Sequence, residues 1–277
     1  FILLFCTSIL LSQSYFDKGI TLYNSERYEE AKALFEKELE GDSNLPEAHY
    51  YLGRTYLMLG NQEKAVDHCE LALDQKSDVA EYHFWLGQAL GMMAMKSNVL
   101  KQAWLAPQIK DEFEKTVELD STHIQGRIQL MNYYVQAPSF MGGDIEKALE
   151  QAEIVKRQDT FNGILALAQI YEKQENLDSA LEAFKQLEKQ FGDSTNYFYF
   201  YNSYGYFLLR QKHYEKAIEK FIKQVELAPR RANPYDSLGD AYLAGGYQQK
   251  AIEAYKKALA INPNSDRTKK KLKKLEE

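Results

Sequence analysis

Proline and glycine are scarce, six and fifteen in 277 residues. β-Sandwiches and barrels turn often and draw on both, so neither architecture is expected. Cysteine is rarer still, with only Cys6 and Cys69. A disulfide framework is therefore excluded. An excess of basic charge is also missing: 34 Lys and Arg stand against 40 Asp and Glu, a net charge of −6. That is not the footprint of a nucleic-acid binder, and no nucleic-acid partner is expected. The sequence has no HExxH, no CxxC and no nucleophile motif. Its five histidines are dispersed. His49 and His83 are 34 residues apart, and His68 and Cys69 are neighbours on one helix, so neither pair is expected to share a metal. No metal, cofactor or enzymatic activity is expected.

What is present favours helix. Leu, Ala, Glu, Lys, Gln and Tyr dominate, and apolar residues at 45% with charged residues at 27% suit a folded protein. Carboxylates alternate with lysines, as in "EEAKALFEKELE", which reads as solvated helix surface. The opening "FILLFCTSILLSQS" is different, because it is uncharged and mostly apolar. It is too short to span a bilayer, which takes roughly 20 residues. It fits a secretory leader over 1–14, cleaved before Tyr15, with an apolar first helix as the other reading. Export to the periplasm or the extracellular space, with no stable membrane insertion after leader removal, is the expectation. Cys69 would then be the lone cysteine.

Spacings of 34 recur: Gly19, Gly53 and Gly87; Ala31 and Ala65; Gly205 and Gly239; Ala217 and Ala251. "HYYLGRTYLMLGNQEKAVDHCELAL" (His49 to Leu73) aligns with "YDSLGDAYLAGGYQQKAIEAYKKAL" (Tyr235 to Leu259). The frame resembles the tetratricopeptide repeat (TPR) family, with Tyr235, Leu238, Gly239, Tyr242, Ala251, Tyr255, Ala258 and Pro263 on motif positions. The resemblance implies an all-α, right-handed solenoid of about seven helix pairs. The copies lie near 12–45, 46–79, 80–123, 124–160, 161–197, 198–231 and 232–263, and a polar capping helix follows at 264–277. The first copy has Glu38 where Ala is usual; the fourth has Met131 in place of the helix A glycine. A single pair of helices cannot bury its apolar face, so neighbouring pairs must stack.

Two copies are lengthened. The third gains roughly ten residues across "GMMAMKSNVLKQAWLAPQ", with Pro107 expected in the first turn of the resumed helix B. The fourth gains about five in "VQAPSFMGGDIEKAL", where Asp144 is a good N-cap. Both insertions fall in the turn from helix A to helix B. They are expected to be neighbours, carrying Trp104, Pro107, Phe140 and Met141 as either a self-packed lobe or a second binding surface.

"NYFYFYNSYGYFLL" (Asn196 to Leu209) holds eight aromatics in fourteen residues. In isolation it could be a strand or a stacking platform. The repeat frame makes it helix A of the sixth copy. Tyr201, Tyr204 and Leu208 then face the core, and Phe200 and Phe207 face neighbouring helices. Tyr199, Asn202 and Tyr206 form one exposed strip. By the resemblance this strip lines a concave groove, joined by Gln169, Asn233, Asp236 and Asp240. Chaperone-binding members of the family hold a carboxylate with basic and amide residues on successive A helices. The matching positions here are Phe16 and Ile20, Tyr50 and Arg54, Phe84 and Gln88, and only Arg54 is basic. The resemblance implies a protein-interaction scaffold that takes a peptide or protein segment in its groove. The alternative is an envelope-associated subunit for a non-protein ligand such as a glycan.

Overall fold

The computed structural model describes residues 15–276, so the leader expected over 1–14 lies outside the described residues. Among the described residues there is helix and no strand. The chain divides into two compact units, at Gln158 and Asp159.

The first unit holds α1 (15–24), α2 (Tyr28–Gly41), α3 (Pro46–Met58), α4 (Gln62–Gln75), α5 (Ala80–Met95), α6 (Val99–Leu119), α7 (Ile124–Gln136) and α8 (Ile145–Gln158). The second holds α9 (Thr160–Lys173), α10 (Leu177–Phe191), α11 (Phe200–Arg210), α12 (Tyr214–Leu227), α13 (Ala232–Ala244), α14 (Gln248–Ile261) and α15 (Asp266–Glu276). Odd- and even-numbered helices up to α14 alternate as A and B partners of helix pairs, and α15 follows the last pair, packed on α14.

The small residues let each pair close. A Cβ on Gly205 would lie 2.5 Å from the Phe221 ring. One on Gly239 would run into Tyr255. Ala31, Ala65, Ala217 and Ala251 are completely buried on the facing B helices. Large side chains fill the remaining space, among them Phe35, Leu52 and Leu105 in the first unit. In the second unit Phe161, Phe184, Phe207 and Phe221 do the same. Burying each such side chain contributes about 1.5–3 kcal/mol.

Five A helices end in the same way. Glu26, Gly60, Glu175, Lys212 and Gly246 adopt positive φ, between 58° and 84°. The next residue then donates its N–H to a carbonyl five residues back, as His213 does to Leu208 at 2.9 Å. This left-handed turn satisfies carbonyls that a helix end would otherwise leave open. Glycine adopts it at no cost, whereas the two glutamates and Lys212 each pay about 1–2 kcal/mol.

The third and fourth copies replace that turn with their added residues. In the third, both helices grow: α5 has 16 residues and α6 has 21, against 13 and 14 in α3 and α4. Asn98 caps α6 by accepting from the Lys101 N–H at 3.0 Å. Pro107 therefore stands inside α6 rather than in its first turn. Its missing N–H forfeits one bond, to the Ala103 carbonyl, on a stretch of helix largely open to water. In the fourth copy a short 3-10 turn (Ser139–Met141) is closed by Gly142 at φ 90°. Asp144 then caps α8 through the N–H groups of Glu146 and Lys147.

Candidate functional site

The aromatic run builds core first. Tyr201, Tyr204 and Leu208 are buried, as are Phe200 and Phe207. Tyr204 stacks on Phe184 with ring centroids 4.9 Å apart and planes nearly parallel. α11 begins only at Phe200, so Tyr199 sits at its N-cap rather than in its first turn. Upstream, Tyr197 stacks on Phe161 at 4.3 Å and packs edge-on against Phe191, which holds the chain in a turn before the helix starts.

The expected strip is only partly open. Tyr199 is 41% exposed, and Gln169 and Asn233 are exposed. Asn202 and Tyr206 are half-buried. The Asn202 side-chain carbonyl accepts from the Ser237 hydroxyl at 2.9 Å. Tyr206 donates to Asp240 at 2.8 Å. Burial pushes the Tyr206 phenol up to about 12, with Asp240 reinforcing the shift and the Ser237 hydrogen bond opposing it.

Asp236 and Asp240 depart from expectation, because α15 covers them. Asp236 is buried and accepts from Thr268 at 2.9 Å and from Lys271 at 2.8 Å. Lys271 also pairs with Asp240 at 2.6 Å, and Arg267 lies 3.6 Å from the same carboxylate. Tyr255 donates to Asp240 at 2.7 Å. Two carboxylates on α13 meet the basic face of α15, so their charge is neutralised inside the protein.

Arg54 is likewise enclosed. Its guanidinium lies 4.5–5.2 Å from the ring centres of Tyr23, Tyr50, Tyr51 and Trp85. It donates to the Tyr50 hydroxyl at 2.9 Å. Stacking on four rings is a stable use of a guanidinium within the first unit. Cys69 is buried behind Gly53, and burial pushes its thiol up to about 12, far from a nucleophilic thiolate.

The histidines form pairs that their spacing had concealed. His49 and His68 bring their Nδ1 atoms to 2.9 Å. His49 Nε2–H donates to the Ser43 carbonyl at 3.0 Å, so its Nδ1 accepts the proton of His68. Burial first, and then His49, hold His68 down at about 4. The third copy repeats the arrangement with the opposite charge logic. His83 donates to the Ser77 carbonyl at 3.0 Å and to Glu112 at 2.6 Å. Burial opposes its protonation, but the Glu112 and Ser77 hydrogen bonds prevail and raise its pKa. In the fourth copy Arg127 takes the same place, bonding the Ser121 carbonyl and Gln151. A polar residue at the fourth position of helix A thus ties back the loop six residues upstream in the second, third and fourth copies. The signal was a residue type recurring at one repeat position, with its partner on helix B of the same copy. Among the described residues no cluster of three or more His, Cys, Asp or Glu could hold a metal.

The two insertions meet. Together with α5, α6 and α7 they line a cleft of about 720 Å³, whose apolar wall includes Met92, Met95, Val99, Phe140 and Met141. Tyr133 braces it by donating to the Met141 carbonyl at 2.6 Å. Phe140 is 86% exposed and belongs to the lining. Trp104, 66% exposed, stands on α6 outside it.

Family models described as tetratricopeptide repeat match residues 16–80 and 165–237, and 232–265. The chain belongs to the tetratricopeptide repeat family. Among solved structures it is similar to a tetratricopeptide repeat protein from Parabacteroides merdae, at 13% identity and a TM-score of 0.73. That match covers 96% of this chain and 99% of the other. Part of the APC/C hetero-tetramer Cut9–Hcn1 is similar at 14% identity and a TM-score of 0.61, over 94% of this chain and 48% of that one. The C-terminal part of a TPR protein from Cytophaga hutchinsonii is similar at 18% identity and a TM-score of 0.58, over 92% and 98% of the two chains. These likenesses establish the fold. Among curated proteins none matches the chain. Proteins built from such repeats are generally non-enzymatic scaffolds, and no helix among the described residues is long and apolar enough to cross a membrane.

Proposed function

We propose that this chain is a protein-interaction scaffold that docks a segment of a partner protein on the apolar edge built by its two insertions. One observation carries the reading. The five most exposed large apolar residues are Met95, Val99, Leu100, Trp104 and Phe140, at 66–86%, whereas the other exposed large apolar residues lie at 37–41%. All five belong to the insertions or their borders. Three of them, Met95, Val99 and Phe140, line one cleft, and apolar exposure gathered in this way marks interaction surfaces. Helix-pair repeats are suited to the role, and a structurally similar chain is part of a hetero-tetramer.

The groove of the sixth copy is the second reading, favoured by the exposure of Tyr199 beside Gln169 and Asn233. Export is part of the proposal and rests on the uncharged apolar character of residues 1–14. The test is affinity capture with the full chain, followed by binding measurements on the captured protein. Trp104→Ala combined with Phe140→Ala should abolish capture. Retention by that variant with loss in Tyr199→Ala would transfer the function to the groove.

A further inference from the structure

We infer that the cleft between the insertions takes an uncharged, apolar peptide segment, and that its carboxamides pair with that segment's backbone. The inference rests on the scaffold reading and names the chemistry that the edge recognises.

The lining is free of charge. Twenty residues form the wall and none is Asp, Glu, Lys or Arg, although these make up 27% of the chain and roughly five would be expected. A charged group entering this cleft would lose water and gain no counter-charge, which is costly. An uncharged occupant meets no such penalty.

Apart from the Tyr133 hydroxyl, which bonds the Met141 carbonyl, the polar side chains lining the cleft are all carboxamides. Gln88 comes from α5, Gln102 from α6, and Gln129, Asn132 and Gln136 from α7. The last three are spaced by three and four residues, which places them on one helix face. Gln102 donates to the Ser97 carbonyl at 2.9 Å. The side chains of Gln88, Gln129, Asn132 and Gln136 bond no other protein group among the described residues. Each carboxamide offers both N–H donors and a carbonyl acceptor. A peptide backbone presents the same two groups, whereas a hydrocarbon tail presents neither.

The apolar side suits side-chain anchors. Met92, Met95 and Met141 are unbranched and adapt to varied shapes. At about 720 Å³ the cleft lies in the range that encloses a small ligand or a short segment. The apolar half comes largely from the inserted residues and their borders, whereas Gln88, Gln129, Asn132 and Gln136 stand on the A helices of the third and fourth copies.

The test selects peptides from a random dodecapeptide display library on the full chain and measures synthetic copies by fluorescence anisotropy. Ala103→Asp places a carboxylate on the lining at an exposed position of α6, where folding is not at stake. Asn132→Leu removes a carboxamide but keeps an apolar wall. The expected result is enrichment of peptides with an uncharged apolar centre. Their affinity should fall about tenfold or more in Ala103→Asp, and severalfold in Asn132→Leu. Peptides with charged centres, or affinity indifferent to both variants, would overturn the inference. So would octyl glucoside binding as tightly as the best peptide, or self-association that Ala103→Asp abolishes. Selected peptides that bind Ala103→Asp normally but fail on Tyr199→Ala would leave the scaffold standing and remove the cleft. A chain that enriches no peptide and captures no protein would end both readings.

Discussion

The five copies that end helix A in a left-handed turn and the two that replace this turn with inserted residues use the same sequence frame to opposite ends. In the former a single residue, such as Gly246 or Lys212, returns the chain at once, and the large side chains go inward. In the latter α5 and α6 outgrow their neighbours, and Met95, Val99, Leu100, Trp104 and Phe140 are left in water. Apolar exposure that contributes nothing to folding is what a binding surface requires. On the proposed reading, stability and recognition fall to different copies, and mutations should separate them.

The largest effect belongs to the regular copies. Tyr204→Ala removes a buried ring stacked on Phe184 and should cost roughly 3–5 kcal/mol in denaturant unfolding of the second unit. Gly239→Leu should cost about 1–3 kcal/mol, since Tyr255 already fills the space a side chain would need. An unchanged melting curve would break the helix-pair frame. In the other direction, Lys212→Gly should stabilise by up to about 1 kcal/mol by relieving a left-handed residue. A loss of stability there would contradict the turn geometry.

The histidine pairs sharpen the comparison with pH. His68 is held down at about 4, below its ordinary 6.5, so between those values the unfolded chain binds the extra proton. Its contribution is intact above pH 6.5 and is lost as pH falls toward 4. His83 behaves oppositely: its raised pKa gives a contribution present below the ordinary value and lost as pH rises through the folded one. Amide exchange measured across this range should show α3 and α4 loosening on acidification, a response that His68→Gln should flatten. The smallest stability effect is expected at the insertions, where Trp104→Ala and Phe140→Ala should each change unfolding by about 0.5 kcal/mol or less.

Much of this was legible because it is periodic. Recurrence at 34 residues places Gly205 opposite Phe221 and Gly239 opposite Tyr255, and the same repeat frame, by making the aromatic run a helix A, sends Tyr201 and Tyr204 inward. What escaped depends on contacts between elements. Pro107 reads locally as a helix start, yet the helix begins eight residues earlier at Val99, under the Asn98 cap. Asp236 and Asp240 read as groove carboxylates because nothing local announces that Lys271 will lie over them. His49 and His68 are nineteen residues apart on facing helices, a separation that a search for short ligand motifs passes over.

Hydrogen exchange of the full chain, with and without a protein captured from its native source, tests the central claim most directly. Slowed exchange over 92–103 and 139–142, with 199–206 unaffected, is the predicted pattern. Protection confined to 199–206 would contradict it and return recognition to the sixth-copy groove.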